Sequence, residues 1–504
     1  MISTLIALLL GAISILYFLN RIRTTSTSTS TRRSIALIVL GDFTRSPRMM
    51  YHAQSLLKNG YQLNIIAYRG SSSPPQEFIN DEKCRLLYLP QPLPWTSNLP
   101  KSIFLLLAPI KVLLGAFYLL STLVWTIRSS PGYMFVQNPP SIPTLPVVQL
   151  AAFLRGSRVI IDWHNTGYSM LSLRLGETHP IVKIAKSIEY TFGRNAYAHL
   201  MVTEAMRREL VKDARLQGQT VAFHDRPPHH FRKQTPSESH KLFSRLASLE
   251  SISFPSLPPP PDSTQTLFTT STGSHLPSRP ALLITSTSHT PDEDLSILLR
   301  ALSSYETSAR SARSSNRNLP RIVMLVTGKG QGKLSFEREV QRIESEESWK
   351  WVRVRTEWLT LEDYPKLLGS GDLGISLHTS TSGFDLPMKV VDMFGCELPV
   401  LALDFKCIGE LVQDGINGKT FKNHQELAQQ LIDLLEDFPN HSSPSKLETL
   451  RKGINQTEYG VPTTADSDDV VSEGDRGKGR ERRMKWNNWE ENWDEIVLPL
   501  LDTK

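Results

Sequence analysis

A chain of 504 residues, 40% of them apolar and 21% charged, has material for two or three cored domains. Its net charge of +6 suits an anionic membrane surface or a phosphorylated substrate; it is too diffuse to speak for nucleic acid, and no nucleic-acid motif is present. Three cysteines, Cys84, Cys396 and Cys407, with no CxxC pair, point to free thiols in a reducing compartment.

The first element is "ISTLIALLLGAISILYFL", residues 2–19, an uncharged run of the length that spans a bilayer. Arg21, Arg23, Arg32 and Arg33 follow it and no positive charge precedes it, the reverse of a cleaved signal peptide. Residues 1–20 are therefore expected to form an uncleaved anchor with the body of the chain on the cytosolic side. Alternating strands and helices then predict a doubly wound α/β domain over 34–232. Strand "RSIALIVLGD" leads to helix "SPRMMYHAQSLLKNG", capped at Ser46 with Pro47 in its first turn and Gly60 at its end. Strands "YQLNIIAY", "YMFVQNPP" and "RVIIDWHN" follow, with helix "LPVVQLAAFL" between the last two. Helix "IVKIAKSIEYTFGRNA", strand "HLMVTEAM", helix "MRRELVKD" and strand "TVAFHDRPP" complete the domain. Within it, residues 103–125 form a second long apolar run containing Pro109 and Lys111. A crossing there would put the two halves of the chain on opposite sides of a membrane. Two readings stand: a helix lying in the interface with Lys111 reaching the headgroups, or a plain buried helix.

Residues 233–279 are rich in Pro, Ser and Thr and lack periodicity, which predicts a low-complexity linker. The alternation restarts over 280–460. Strands "ALLITSTS", "RIVMLVTGKG", "WVRVRTEW", "DLGISLHTS" and "PVLALDF" alternate with helices, among them "KLSFEREVQRIES", "LEDYPKLLGSG" and "NHQELAQQLIDLLEDF". A charge-rich tract at 461–484 reads as flexible. Residues 485–504 read as one packing helix with Trp486, Trp489 and Trp493 on a common face.

Ligands of doubly wound sheets bind beyond the carboxyl ends of the strands, and the chemically capable residues cluster there. "LGDFTRSPRM" carries Asp42, Arg45 and Arg48, and "DWHNTGYS" carries Asp162, His164 and Asn165. "VTGKG" sets Lys329 between Gly328 and Gly330, a turn that lets backbone approach a phosphate; a simple turn reads as well, and the spacing is not that of a P-loop. "SGFDLPMKVVDMFGCELPV" places Asp385, Lys389 and Asp392 around the start of an apolar helix, where free amides favour an anion. Lys389 alone would read as a surface lysine; beside two acids it reads as a ligand contact. A lone histidine is more often structural, but His164 at the end of a buried strand between polar neighbours suits a general base. No cluster has zinc-site spacing, and the DxD string Asp466 to Asp468 falls in the charged tract.

Taken together, "GDFTRSPRMMYHAQSL", "DWHNTGYS", "HDRPP", "STSHTPDEDL", "VTGKGQGK" and "EDYPKLLGSGDLGISLHTSTSGFDLPMKVVDMFGCELPV" resemble the chitobiosyldiphosphodolichol β-mannosyltransferases, in order, over most of the chain. Thr44 stands where that family usually has glycine. The resemblance implies a GT-B fold: α/β, two doubly wound Rossmann-like domains facing a cleft, plus an N-terminal transmembrane helix. It implies GDP-mannose as donor, GlcNAc2-diphosphodolichol as acceptor, and inverting transfer that forms the first β-1,4-mannosyl linkage without a metal or cofactor. It implies a single-pass protein of the endoplasmic reticulum membrane with its catalytic body in the cytosol, and leaves room for other dolichol-pathway glycosyltransferases as partners. On that reading Gly328, Lys329, Gly330, Asp385 and Lys389 hold the donor, and Asp392 accepts from its ribose. His164 is the expected base with Asp42 as runner-up, while Arg45, Arg48 and Asn165 meet the acceptor. Two other readings remain open: another membrane-bound GT-B enzyme, and a catalytically silent anchor subunit, against which intact Lys329, Lys389 and Asp392 speak.

Overall fold

The computed structural model describes residues 33–461 and 482–502, apart from 71, 99–100, 251, 255–264, 291–292, 313–317, 381–382, 440–444 and 457. The anchor expected at 1–20 and nearly all of the tract expected at 461–484 lie outside the described residues. Two compact units divide the rest: the first holds residues up to His224 and from Trp493, the second those from Asp225 to Asn492.

The first unit is built on seven parallel strands, β1 (Ser34–Asp42), β2 (Gln62–Tyr68), β3 (Cys84–Leu89), β4 (Tyr133–Asn138), β5 (Arg158–Trp163), β6 (Asn195–Met201) and β7 (Gln217–Ala222), in the order β3-β2-β1-β4-β5-β6-β7. Central strands such as β1 and β4 are apolar at nearly every position because helices cover both faces of a parallel sheet. The strand order reverses between β1 and β4, which pair from Ile35–Tyr133 to Ile38–Val136. The crossover helices are α1 (Pro47–Lys58), α2 (Lys101–Ser121), α3 (Thr144–Arg155), α4 (Gly167–Leu175), α5 (Pro180–Gly193) and α6 (Glu204–Asp213). Pro47 opens α1, but Ser46 does not cap it; the Ser46 hydroxyl donates to Gln137 Oε1 at 2.9 Å instead. The strand expected to run through "HLMVTEAM" stops at Met201, because the Thr203 hydroxyl accepts from Met206 N at 3.1 Å and starts α6. The apolar run at 103–125 is α2, continued by a wider helical turn over Thr122–Thr126. It joins β3 to β4, two strands of one sheet. The buried Arg155 guanidinium pins its far end, donating to the carbonyls of Val124 and Ile127 at 2.9 and 2.8 Å.

The second unit repeats the plan with six parallel strands, β8 (Ala281–Ser286), β9 (Ile322–Thr327), β10 (Val352–Glu357), β11 (Leu373–Ser376), β12 (Val400–Leu403) and β13 (Gly418–Phe421), in the order β10-β9-β8-β11-β12-β13. Its reversal falls between β8 and β11. The helices that matter below are α7 (Pro236–Phe243), α8 (Leu295–Ala312), α9 (Lys333–Glu346), α10 (Asp363–Ser370) and α11 (Met388–Gly395). The linker reading of 233–279 is corrected for its described residues. Thr235 and Glu238 form a capping box on α7, and Leu242, Phe243, Leu246, Leu249, Ile252, Phe254 and Phe268 are buried in the core beside α10 and α11. Pro/Ser/Thr content obscured these spaced apolar anchors. The single helix expected at 485–504 is two, Trp489–Ile496 and Leu498–Asp502; Trp489 and Trp493 are buried, while Trp486 precedes the first turn under the Arg226 guanidinium at 4.4 Å. Cys84, Cys396 and Cys407 are free thiols.

Candidate active site

In the first unit the end of β5 turns into a charged cluster. Asp162 and His164 are two residues apart, so both side chains leave the same face of the extended chain. Asp162 is fully buried. Arg48 on α1 grips it through Nε and Nη2, each 2.9 Å from a different carboxylate oxygen. One turn further along α1, His52 Nε2 lies 3.3 Å from Oδ2, and His164 Nε2 lies 2.7 Å from the same oxygen. Burial alone would raise the Asp162 carboxyl, but the Arg48 charge together with the His164 and His52 contacts outweighs it and holds the group well below the usual carboxylate range. The carboxylate is therefore ionised and can only accept, so the nitrogens facing it carry protons. For His52 a second contact agrees: the Trp493 indole N–H, which can only donate, reaches His52 Nδ1 at 3.0 Å. Burial pushes His52 below the ordinary histidine range, so that ring is neutral. The same logic fixes His164. With its proton on Nε2 toward Asp162, a neutral His164 keeps its lone pair on Nδ1, and the side chain is 21% exposed.

Arg48 was expected to hold an acceptor, and the geometry corrects that. Its guanidinium turns inward and is 5% exposed, so its charge is committed to Asp162. Asn165 is likewise engaged locally: its Oδ1 accepts from Thr166 N at 2.8 Å and Ser169 Oγ at 3.3 Å at the start of α4. The same helix end is held by Glu189 of α5, fully buried, which accepts from the amides of Gly167 and Tyr168 at 2.9 and 3.0 Å and from Asn138 Nδ2 at 2.7 Å. Asp42 stands apart from this cluster in its bonding. It accepts from Thr44 N and Oγ1 at 3.0 and 2.7 Å, with Arg45 Nε at 3.6 Å and exposed. Thr44 thus fits its tight turn through its hydroxyl. Gly70 is required beside it, since a Cβ there would sit 2.1 Å from the Asp42 carboxylate.

In the second unit the glycine turn after β9 closes against the loop after β8. A Cβ on Gly328 would meet Thr287 O at 1.7 Å, one on Gly330 would meet Ser288 O at 1.9 Å, and Gly328 has φ +137°. The glycines let two backbones touch, which is why side chains are absent from both positions. Glu293 ties that loop to α11: it accepts from Thr287 Oγ1 at 2.6 Å and Ser288 N at 3.1 Å, and its other oxygen receives Lys389 Nζ. Lys389, Glu293, the 287–289 loop and the glycine turn are therefore brought together, while Lys329 lies exposed with Nζ 3.8 Å over the Trp358 ring. His289, at φ +51°, is 7% exposed in this loop, and neither ring nitrogen has a partner among the described residues. Asp385 accepts from Ser380 Oγ and lies 3.5 Å from His378 Nε2. Asp392, three residues beyond Lys389, turns elsewhere. Burial, reinforced by the Asp225 charge, pushes its carboxyl up to about 8, and the Tyr364 hydroxyl, which accepts from Ser286 Oγ at 3.1 Å, bonds to it. Asp392 is thus a protonated acid at neutral pH.

Asp162, His52, Glu293 and His289 were not assigned roles from the sequence. The D-x-H spacing on a strand end could have paired Asp162 with His164. Nothing in the sequence announces Glu293, which sits among four other acidic or polar residues in "TPDEDLS".

Residues 279–437 match the family described as Glycosyl transferases group 1. The chain is 38% identical to a protein of Mus musculus named chitobiosyldiphosphodolichol beta-mannosyltransferase, over 99% of this chain and 96% of that one. It is also 38% identical to the Homo sapiens protein of the same name, over 93% and 92%. Among solved structures, a sucrose-phosphate synthase from Thermosynechococcus elongatus superposes with a TM-score of 0.54 at 12% identity, covering 84% of this chain and 92% of that one. That likeness carries the GT-B α/β fold and nothing finer.

Proposed function

Because the chain belongs to the chitobiosyldiphosphodolichol β-mannosyltransferase family, we propose that it transfers mannose from GDP-mannose to GlcNAc2-diphosphodolichol with inversion, forming the first β-1,4-mannosyl linkage of the lipid-linked oligosaccharide. One observation carries the chemistry: His164, paired at 2.7 Å to a buried ionised carboxylate, presents Nδ1 as its basic nitrogen. A single displacement at the anomeric carbon needs such a base to take the proton of the attacking GlcNAc hydroxyl. Asp162 orients the ring and stabilises the imidazolium as it forms, and Arg48 and His52 hold Asp162. Asp42 is the runner-up base.

Departure of GDP needs positive charge and N–H donors at the diphosphate. Lys329, Lys389 and the amides that open α11 supply them on this reading, with Gly328 and Gly330 letting backbone close on the phosphates. Asp385 and Asp392 contact the sugar and ribose hydroxyls, Asp392 donating as a protonated acid. Arg45, the exposed cation at the end of β1, meets the acceptor diphosphate. The protein works on the cytosolic face of the endoplasmic reticulum membrane, held by the anchor at residues 1–20.

The test is incubation of the purified full chain with labelled GDP-mannose and a GlcNAc2-diphospho-lipid. The expected product gains one hexose, is released by β-mannosidase and resists α-mannosidase. An α-linked product overturns the single displacement, and transfer only from a uridine nucleotide sugar overturns the donor assignment.

A further inference from the structure

Thirteen of the 21 exposed large apolar residues of the described chain fall between residues 103 and 192, on one set of helices of the first unit. Helix α2 packs on α3, α3 on α5, and α5 on α4, so these elements form one continuous layer. Its exposed members include Leu113 (69%), Phe117 (61%), Phe153 (68%), Leu173 (61%) and Ile184 (58%). An apolar surface spread over four helices is far more than scattered surface hydrophobes. The charge on the same stretch is one-sided. From 101 to 194 there are nine lysines and arginines and three acids, and two of the acids, Asp162 and Glu189, are fully buried. Only Glu177 is an exposed acid, while Lys183, Arg128 and Arg174 are exposed bases.

We propose that this helical layer, α2–α3–α5–α4, docks the first unit onto an anionic lipid bilayer independently of the N-terminal anchor. Apolar side chains enter the acyl boundary and the bases meet the headgroups, which an uncharged partner would not require. α2 lies on the surface and does not cross it, because its two ends feed strands of one sheet. The layer also explains how a lipid-borne substrate is met. α4 begins at Gly167, three residues after His164, and Glu189 clamps that junction. Leu173 lies about 9 Å along α4 from its first residue at 1.5 Å per residue. Seating α4 in the interface therefore places the His164 loop near headgroup level.

The experiment uses the full chain in vesicles, with single cysteines carrying an environment-sensitive dye at Phe117, Leu173 or Ile184, and with Leu334 and Leu361, exposed apolar residues of the second unit, as controls. Quenching by nitroxide-labelled lipid at the first three positions, stronger with phosphatidylserine than with phosphatidylcholine alone, is the expected result. Quenching by aqueous iodide at Leu173 and Ile184, as at the controls, overturns the proposal. So does a dye shift that follows protein concentration without lipid, which would make the face a contact between copies of the chain. A second arm rests on the proposed activity: Leu173→Glu with Ile184→Glu should raise KM several-fold for a long-chain lipid acceptor and leave turnover of a short soluble acceptor unchanged. The dye arm needs no activity, so its failure and a failure of the functional reading are distinguishable.

Discussion

Replacing Asp392 by asparagine probes the second unit through stability before activity. In the unfolded chain this carboxyl ionises near 3.8; in the folded unit it ionises near 8. Between those values the folded state binds the extra proton, so stability is greatest at low pH and falls as pH rises from about 4 to about 8. Each tenfold step in ionisation is worth about 1.4 kcal/mol, which sets a ceiling of roughly 5–6 kcal/mol above pH 8 and roughly 4 at pH 7. Water entry and side-chain relaxation reduce this, and about 2–3 kcal/mol at pH 7 is the expected gain when Asp392→Asn removes the ionisable group and keeps its shape. For a domain of this size that is about 4–12 °C in Tm. Thermal unfolding from pH 4 to pH 9 should show no difference at pH 4, a growing gain toward pH 8, and a plateau above. Donor affinity should change little in the same protein, since the amide N–H can donate to a ribose hydroxyl as the acid's O–H does. A shift equal at pH 4 and pH 8, or a loss of stability at pH 7, would refute the assignment of a protonated acid.

Asp162→Asn should destabilise the first unit by about 3–5 kcal/mol at pH 7, because Arg48 is left buried without its counter-charge; chemical denaturation measures it. In the wild type that contribution is present above the ordinary carboxylate value near 3.8 and is lost only as pH falls through the depressed folded value, so acid unfolding should begin below pH 4. His164→Ala should lower kcat by about 10²–10⁴-fold with GDP affinity unchanged, read by single-turnover kinetics and calorimetry; wild-type kcat would move the base to Asp42. Lys389→Ala should weaken GDP binding by about 1.5–3 kcal/mol, and Glu293→Gln beside it should restore stability without restoring affinity. Gly330→Ala should lower both Tm and donor affinity, since its Cβ would press into Ser288 O.

Strand by strand, the sheets were legible where burial on both faces leaves an uninterrupted apolar run, as in "SIALIV" and "IVMLVT". β3 was not, because an edge strand is only partly covered: Leu89 alone is buried, and "CRLLYL" looks like ordinary surface. α4 was missed for a related reason: it has no buried residue, so no stripe of apolar positions marks a core face. Arg48 was misread because a basic residue near a strand end looks the same whether it faces a ligand or a buried acid 114 positions away. The residues of the site were visible as types; their partners were set by the sheet order, which brings β1, β4 and β5 side by side.

Lys389 and Asp392 stand three apart on one helix, the spacing at which opposite charges usually pair with each other. Here they do not. Lys389 reaches out to Glu293, and Asp392 turns to Tyr364 and keeps its proton. Each charge at the start of this largely buried helix is thus neutralised separately, one by a partner and one by protonation. A mutual pair would have satisfied both and left nothing for a ligand. In the arrangement found, a diphosphate arriving at the α11 amides competes with Glu293 for Lys389. Glu293 then keeps only the Thr287 hydroxyl and the Ser288 amide, the loop against which Gly328 and Gly330 are packed. On the proposed reading, donor binding is therefore felt at the glycine turn through Glu293, and Glu293→Gln should weaken the coupling between GDP binding and protection of the Gly328–Gly330 amides from hydrogen exchange. If those amides gain the same protection on GDP binding with and without Glu293, the turn senses the phosphates directly and Glu293 serves only to balance the Lys389 charge.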